Sequence, residues 1–265
     1  MQTSYIYDIK EMLYTFQLWI EKQTLKPFVK VYSHPRSGTH FSEAFLGKNF
    51  YQKFDLSKKN ITWGHWANRA VNEEGNPYQE LFGSHFFPNK KILKSNKPML
   101  YMVRDGRAVA YSIWKTANFI HPKHQGISFS DFLRMPLDWS GTPSIQVDAP
   151  TMTIAEHWKQ HVEEWEKLAS TKSNILIVRY EDLKDNPYEV YQTIRKKFFP
   201  KQKELAPIEL DTVSKPIGLL PNKGQKDSWK SHFTEEDNAY FLEMVGEDYK
   251  WLSGEVVESL NFTTS

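Results

Sequence analysis

The sequence predicts an α/β fold, a single domain in which a central parallel sheet is flanked by helices. Two observations carry this. Apolar, β-branched runs at Phe28–Ser33, Met99–Val103 and Asn174–Arg179 alternate with stretches of helical periodicity, the pattern of a parallel sheet built from strand–helix units. The first run also passes through Pro35-Arg-Ser-Gly-Thr39 straight into a helix-like segment, giving strand, anion-binding loop and helix in succession. The chain has 265 residues, 40% of them hydrophobic, and no Pro-, Gly- or Ser-rich linker divides it, so residues 1–265 read as one domain.

The elements follow in order. Ile9, Met12, Leu13, Phe16, Trp19 and Ile20 recur at helical spacing and predict an amphipathic helix over 8–25. Phe28–Ser33 is the first strand and Thr39–Leu46 the helix after the loop. Residues 47–80 are polar and aromatic without periodicity. Met99–Val103 is a second buried strand, and Ala108–Phe119 the helix that follows it. Residues 120–150 are rich in Pro, Gly and Ser, with one short helix at 128–135. Thr153–Ser170 is a strong helix with Trp158, Val162, Trp165 and Leu168 near one face, read as packing. Asn174–Arg179 is the third strand and Tyr188–Phe199 a helix. Residues 200–225 read as loop. Thr234, followed by Glu235, Glu236 and Asp237, opens a last helix running to Trp251. In sheets of this kind ligands sit beyond the carboxyl ends of the strands.

Composition narrows the chemistry. Lys and Arg number 34 against 32 Asp and Glu, a net charge of +2, so general nucleic-acid binding is not expected and any basic site is local. There is no cysteine, which excludes disulfides, thiolate catalysis and Cys-ligated zinc. Charges scattered through Met1–Leu25 argue against a signal peptide, and no apolar run approaches the ~18 residues of a membrane span. A cytoplasmic protein without membrane association is expected.

At the first loop, backbone N–H groups at the helix start converge on one point, where the helix dipole favours an anion. Gly38 allows close backbone approach, and Arg36, Ser37, Thr39 and His40 add donors. The loop lacks the paired glycines and Lys-Ser/Thr of nucleoside triphosphatases. Instead, Pro35-Arg-Ser-Gly-Thr39 resembles the 5′-phosphosulfate loop of sulfotransferases. Three further segments carry the resemblance in family order. In Tyr101-Met-Val-Arg-Asp-Gly-Arg-Ala-Val-Ala-Tyr-Ser112, Arg104 and Ser112 stand eight residues apart, ~12 Å along a helix, and match the Arg and Ser that grip the donor's 3′-phosphate. Tyr180, after the third strand, matches the tyrosine that reaches adenine, with Glu181 and Asp182 read as structural caps. Asn222-Lys-Gly-Gln resembles the C-terminal loop that closes over the 3′-phosphate, so Lys223 and Gly224 match, while Asn222 replaces the family's Arg. Arg36 stands where cytosolic members have Lys and carbohydrate-type members Arg. His40 and Phe41 replace Thr and Trp, and Phe41 keeps a ring to stack on adenine.

The resemblance implies a P-loop-like sulfotransferase fold and an enzyme that uses 3′-phosphoadenosine 5′-phosphosulfate (PAPS), releases 3′-phosphoadenosine 5′-phosphate (PAP) and needs no metal. Residues 28–118 carry the first donor loop and the 3′-phosphate motif, 119–152 an acceptor-side loop, and 153–265 the rest of the sheet and the C-terminal donor loop. Sulfuryl transfer needs charge stabilisation on the departing phosphate, from Arg36 and loop N–H groups, and a base for the acceptor hydroxyl. The base is expected between the loop and Arg104. His85, in Ser84-His-Phe-Phe-Pro88, matches the family's histidine in a Lys-Thr-His-Leu-Pro-like context; His65, in Thr62-Trp-Gly-His-Trp66, is the other candidate, or lines the acceptor site with Trp63, Trp66 and Phe86. Phe82, Phe87, Trp114, Phe119 and Trp139 extend this aromatic inventory, which suits sugars, phenols or apolar alcohols equally. The expected partner is a small-molecule or carbohydrate acceptor, and the oligomeric state stays open. A nucleotide-dependent kinase and a non-catalytic nucleotide-binding protein of the same fold are the alternatives.

Overall fold

The computed structural model describes residues 27, 29–50, 83–116, 126–137, 152–202 and 227–252. The expected helix over 8–25 and the loops at 51–80 and 203–225 lie outside the described residues, as does most of 120–150. Along the chain run β1 (Lys30–Ser33), α1 (Thr39–Phe50), β2 (Gly83–Ser84), α2 (Lys90–Lys94), β3 (Met99–Val103), α3 (Gly106–Trp114), α4 (Phe129–Arg134), α5 (Ile154–Thr171), β4 (Ile175–Arg179), α6 (Tyr180–Asp185), α7 (Pro187–Phe198) and α8 (Glu235–Val245).

The four described strands form one sheet in the order β2-β1-β3-β4, and every pairing is parallel. Alternate residues of β3 feed opposite faces, as the period of two in a strand requires. Met99, Tyr101 and Val103 enter a cluster with Trp158, Trp165, Val109 and Phe241, so α3, α5 and α8 cover one face. Leu100 and Met102 enter a second cluster with Phe45, Leu46, Tyr191 and Ile194, so α1 and α7 cover the other. A strand buried on both faces explains the uninterrupted apolar run Met99-Leu-Tyr-Met-Val103.

Local chemistry sets the helix ends. Thr153 caps α5 through a reciprocal capping box with Glu156. Thr234 and Asp237 do the same for α8. That helix stops at Val245, short of the expected Trp251, because Gly246 adopts φ 105° and turns the chain. Three short elements depart from expectation. β2 has only two residues; α2 is opened by Asn89, which accepts from Lys91 N–H and Ile92 N–H; and Tyr180–Asp185, expected as a turn, is helical. The helix after β3 spans Gly106–Trp114 rather than Ala108–Phe119, because the Asp105 side chain already caps it at Arg107 N–H.

Candidate active site

The sheet order brings four loops to one edge. Residues 34–38 leave β1, His85 leaves β2, Arg104 leaves β3 and Tyr180 leaves β4, all at carboxyl ends. The chain runs from β1 to β2 on one side and on to β3 on the other. The crevice between β1 and β3 is therefore a topological switch point, where α/β sheets place ligands. Arg36 and Arg104 flank it.

The first loop is bent by two left-handed residues, Arg36 at φ 66° and Gly38 at φ 90°. A non-glycine residue there costs on the order of 1–2 kcal/mol, so the arginine is held in place by its partners. Its carbonyl accepts from Arg104 Nη1 at 3.0 Å, and its own Nε donates to Ser112 Oγ at 3.0 Å. The three residues thus form one cluster, with Ser112 joined to Arg36. Burial and the neighbouring Arg104 charge push the Arg36 guanidinium down to about 10, so it remains a cation at neutral pH. Ser42 N–H and Oγ both donate to Gly38 C=O, fastening the loop to α1. Thr39 Oγ1 lies 2.5 Å from Ser33 Oγ. The Ser37 hydroxyl is buried and has no hydrogen-bond partner among the described residues.

Tyr180 closes the other side. Its ring lies 4.7 Å from the Arg104 guanidinium and meets Phe41 edge-on at 5.7 Å. A Cβ on Gly38 would come within 2.7 Å of Tyr180 Cε2, so only glycine fits between loop and ring. Of the residues read as caps, Glu181 is structural in another way: its Oε1 accepts from Asp105 N–H at 3.2 Å and ties α6 to the β3–α3 turn. Burial pushes its carboxyl up, more than the nearby hydrogen bonds pull it down. Asp105 in turn grips the Arg107 Nε and Nη2, whose guanidinium lies 4.2 Å over Trp229 and donates to Asn238 Oδ1.

His85 is buried beside the end of β1. Its Nδ1 lies 2.9 Å from Ser33 C=O and 3.4 Å from Ser33 Oγ. A carbonyl only accepts, so Nδ1 carries the proton and the neutral ring has its lone pair on Nε2. Phe86, expected against the acceptor, packs half-buried on the core cluster, with its carbonyl held by Trp165 Nε1 at 3.1 Å.

Behind His85 stand three buried imidazoles, two of them on the helix that the sequence presents as packing, whose link to His85 sequence reasoning missed. His34 Nδ1 donates to Pro35 C=O at 3.0 Å, and His34 Nε2 accepts from His157 Nδ1 at 2.9 Å. His161 Nε2 donates to His85 C=O at 3.1 Å. Phe87 covers both helix histidines edge-on, at 5.3 and 4.7 Å. The signal was present: His157 and His161 sit four apart on the same buried face as Trp158 and Trp165. Trp63, His65, Trp66, Lys223 and Gly224 lie outside the described residues, as do Phe82, Phe119, Trp139 and Asn222. His40 lies in α1 at the loop, and its side chain is outside the description.

A family model described as sulfotransferase domain matches residues 26–213. The amine sulfotransferase of Oryctolagus cuniculus is 24% identical over 256 residues, covering 84% of this chain and 80% of that protein. Mouse sulfotransferase SULT7A1 complexed with PAP superposes with a TM-score of 0.53 at 18% identity, over 82% of this chain and 83% of that one. Retinol dehydratase in complex with androsterone and inactive cofactor PAP gives 0.53 at 17% identity, over 86% and 82%. These structural likenesses speak to the fold. With the family model covering most of the chain, the protein belongs to the sulfotransferase family and is a sulfuryl-transferring enzyme.

Proposed function

We propose that the enzyme transfers a sulfuryl group from PAPS to a hydroxyl, or an amine, of a small-molecule or carbohydrate acceptor, releasing PAP, with Arg36, Arg104, Ser112 and Tyr180 at the donor and His85 as base. The observation that carries this is the convergence of Arg36, Ser112, Arg104 and the Tyr180 ring around the glycine turn at the β1–β3 crevice. The residues present fit a phosphorylated nucleotide. The Arg104 guanidinium, close enough to help depress that of Arg36, favours an anion beside the pair. The buried Ser37 hydroxyl supplies a donor that nothing described in the chain uses. Phe41 and Tyr180 offer aromatic surface beside this site. The expected contacts of Ser37, Gly38, Thr39, His40 and Phe41 with the donor, and of Lys223 and Gly224 with its 3′-phosphate, belong to the same reading. So do Trp63, His65, Trp66 and Phe86 as acceptor contacts.

When bound, PAPS supplies an electrophilic sulfuryl group on a phosphate leaving group. Arg36 stays charged at working pH, so it acts by electrostatics and hydrogen bonding rather than as an acid. The N–H groups opening α1 add to that stabilisation. His85, with its proton fixed on Nδ1 by Ser33, presents Nε2 to take the proton of the acceptor. The remaining parts follow the same assignment: residues 1–265 act as one domain, with 28–118 and 153–265 on the donor and 119–152 on the acceptor side. The absence of cysteine supports a cytoplasmic setting. Among the described residues no helix is long and apolar enough to cross a membrane.

Calorimetric and thermal-shift titration with PAP, ADP and ATP tests the donor site. PAP at about 100 times its Kd should stabilise by about 2.7 kcal/mol. ADP or ATP binding as tightly as PAP overturns the donor assignment. Screening sugars, phenols and amines with PAPS identifies the acceptor, and His85→Ala should then lower kcat by about 10²–10⁴-fold.

A further inference from the structure

His85 follows a strand of only two residues at the edge of the described sheet, so its own secondary structure fixes it weakly. Helix α5 makes up the difference. His161 and Trp165, one turn apart, donate through Nε2 and Nε1 to the carbonyls of His85 and Phe86, both at 3.1 Å. Behind them Tyr101, from the central strand β3, hydrogen-bonds His161 Nδ1 at 2.8 Å. The tyrosine ring also stacks on Trp165 at 5.0 Å and 13°.

We propose that His161 is a positioning residue: Tyr101 O–H orients its ring, and its Nε2–H holds the His85 backbone so that the His85 imidazole keeps its hydrogen bond to Ser33 C=O and its Nε2 toward the acceptor. The direction of each bond is fixed. The His85 carbonyl only accepts, so His161 carries its proton on Nε2. His161 Nδ1 is then an acceptor, and the tyrosine donates. Burial, with the neighbouring imidazoles of His157 and His85 disfavouring a further proton, keeps the His161 ring neutral and hence in this one tautomer. The chain of contacts runs from the centre of the sheet, through α5, to the base at its edge. Its purpose rests on the reading of His85 as the base.

The test uses the full chain with ¹⁵N-labelled histidine. NMR in the presence of PAP reports which His85 nitrogen carries the proton and how fast the Nδ1 proton exchanges. In the parent protein His85 should be the Nδ1–H tautomer. In His161→Leu and in Tyr101→Phe, which keeps the stacked ring, Nδ1 exchange should quicken by about tenfold or more and the Nε2–H tautomer should appear. His161→Gln, whose amide reaches the Nε2 position, should restore most of the parent behaviour. PAP affinity should stay within about threefold in the His161 variants, since no donor residue lies on α5. With an accepted acceptor, kcat in His161→Leu should fall about 10–100-fold, with the donor KM little changed. An unaltered His85 tautomer and exchange rate in both His161→Leu and Tyr101→Phe overturns the proposal, as does a failure of His161→Gln to differ from His161→Leu. The assignment of the base fails separately, if His85→Ala keeps its rate.

Discussion

Mild acid is expected to unfold this protein well before its carboxylates titrate. His34, His157 and His161 are completely buried. Burial depresses His34 and His161 well below the ordinary histidine range, neighbouring histidines add to it, and burial brings His157 to about 3. In the unfolded chain each would titrate near 6.5. The folded values lie below the unfolded one, so from about pH 6.5 downward the unfolded state binds more protons, and stability falls as the pH falls through that window. A fully engaged site contributes about 1.4 kcal/mol per pH unit, and three give a slope approaching about 4 kcal/mol per unit near pH 5. Set against a total of about 5–15 kcal/mol, this is enough to unfold the chain over one or two units. Urea titrations followed by circular dichroism, at half-unit steps from about pH 7 to pH 5, give the slope and hence the protons taken up on unfolding. The expected uptake approaches three, and His157→Gln should reduce it by about one. A stability flat between about pH 6.5 and pH 5 would refute the buried, neutral state of these rings.

Gly38→Ala sets a Cβ within 2.7 Å of the Tyr180 ring at a backbone φ of 90°, so calorimetry should show PAP affinity lowered by at least about tenfold, at ~1–2 kcal/mol for the strain alone. Gly106→Ala places its Cβ 2.6 Å from the Trp158 ring and 2.7 Å from Phe241 Cζ, and urea denaturation should register about 1–3 kcal/mol of overpacking. Arg104→Ala removes the cation that holds the Arg36 carbonyl and covers Tyr180; PAP binding should weaken by about 2–4 kcal/mol, while a variant binding PAP like the parent would remove Arg104 from the donor site. Turnover should be unchanged by EDTA, and a rate lost to chelation and restored by Mg²⁺ or Zn²⁺ would contradict the expectation of metal-free chemistry.

The parts of the fold legible in the sequence were those with strong local signals. Lys30–Ser33, the loop through Gly38 and the start of α1 coincide with the expected strand, turn and helix, because an apolar run, a Pro-Arg-Ser-Gly-Thr turn and a following helix former each mark themselves. Met99–Val103 and the helix opening at Thr153 were equally plain. What escaped has physical reasons. β2 is two residues long, too short to show any alternation, and exists because parallel pairing with Val31 and Tyr32 holds Gly83 and Ser84 extended. The end of α8 depends on the φ of Gly246, which the acidic start of the helix does not reveal. The junction of Arg36 with Ser112 joins residues 76 apart, and only the β1–β3 pairing creates it. His157 and His161 looked like the flank of a packing helix because that is also what they are; their link to His85 needs the third dimension.

The same pairing divides labour within the site. Arg36 and Arg104 leave β1 and β3, adjacent inner strands of the described sheet, and β3 is buried on both faces. Their positions are therefore set by the core itself, and on the proposed assignment damage to them should cost fold and donor binding together. His85 leaves the short edge strand and takes its position from Ser33 on one side and His161 on the other. Changes on the buried face of α5 should accordingly reach the chemical step before they reach donor affinity. Changes in the middle of β3, where Tyr101 supports both the core and His161, should reach both. On the proposed assignment, the donor residues sit where substitution is costly, and His85 sits where its surroundings can be remodelled without loosening the nucleotide.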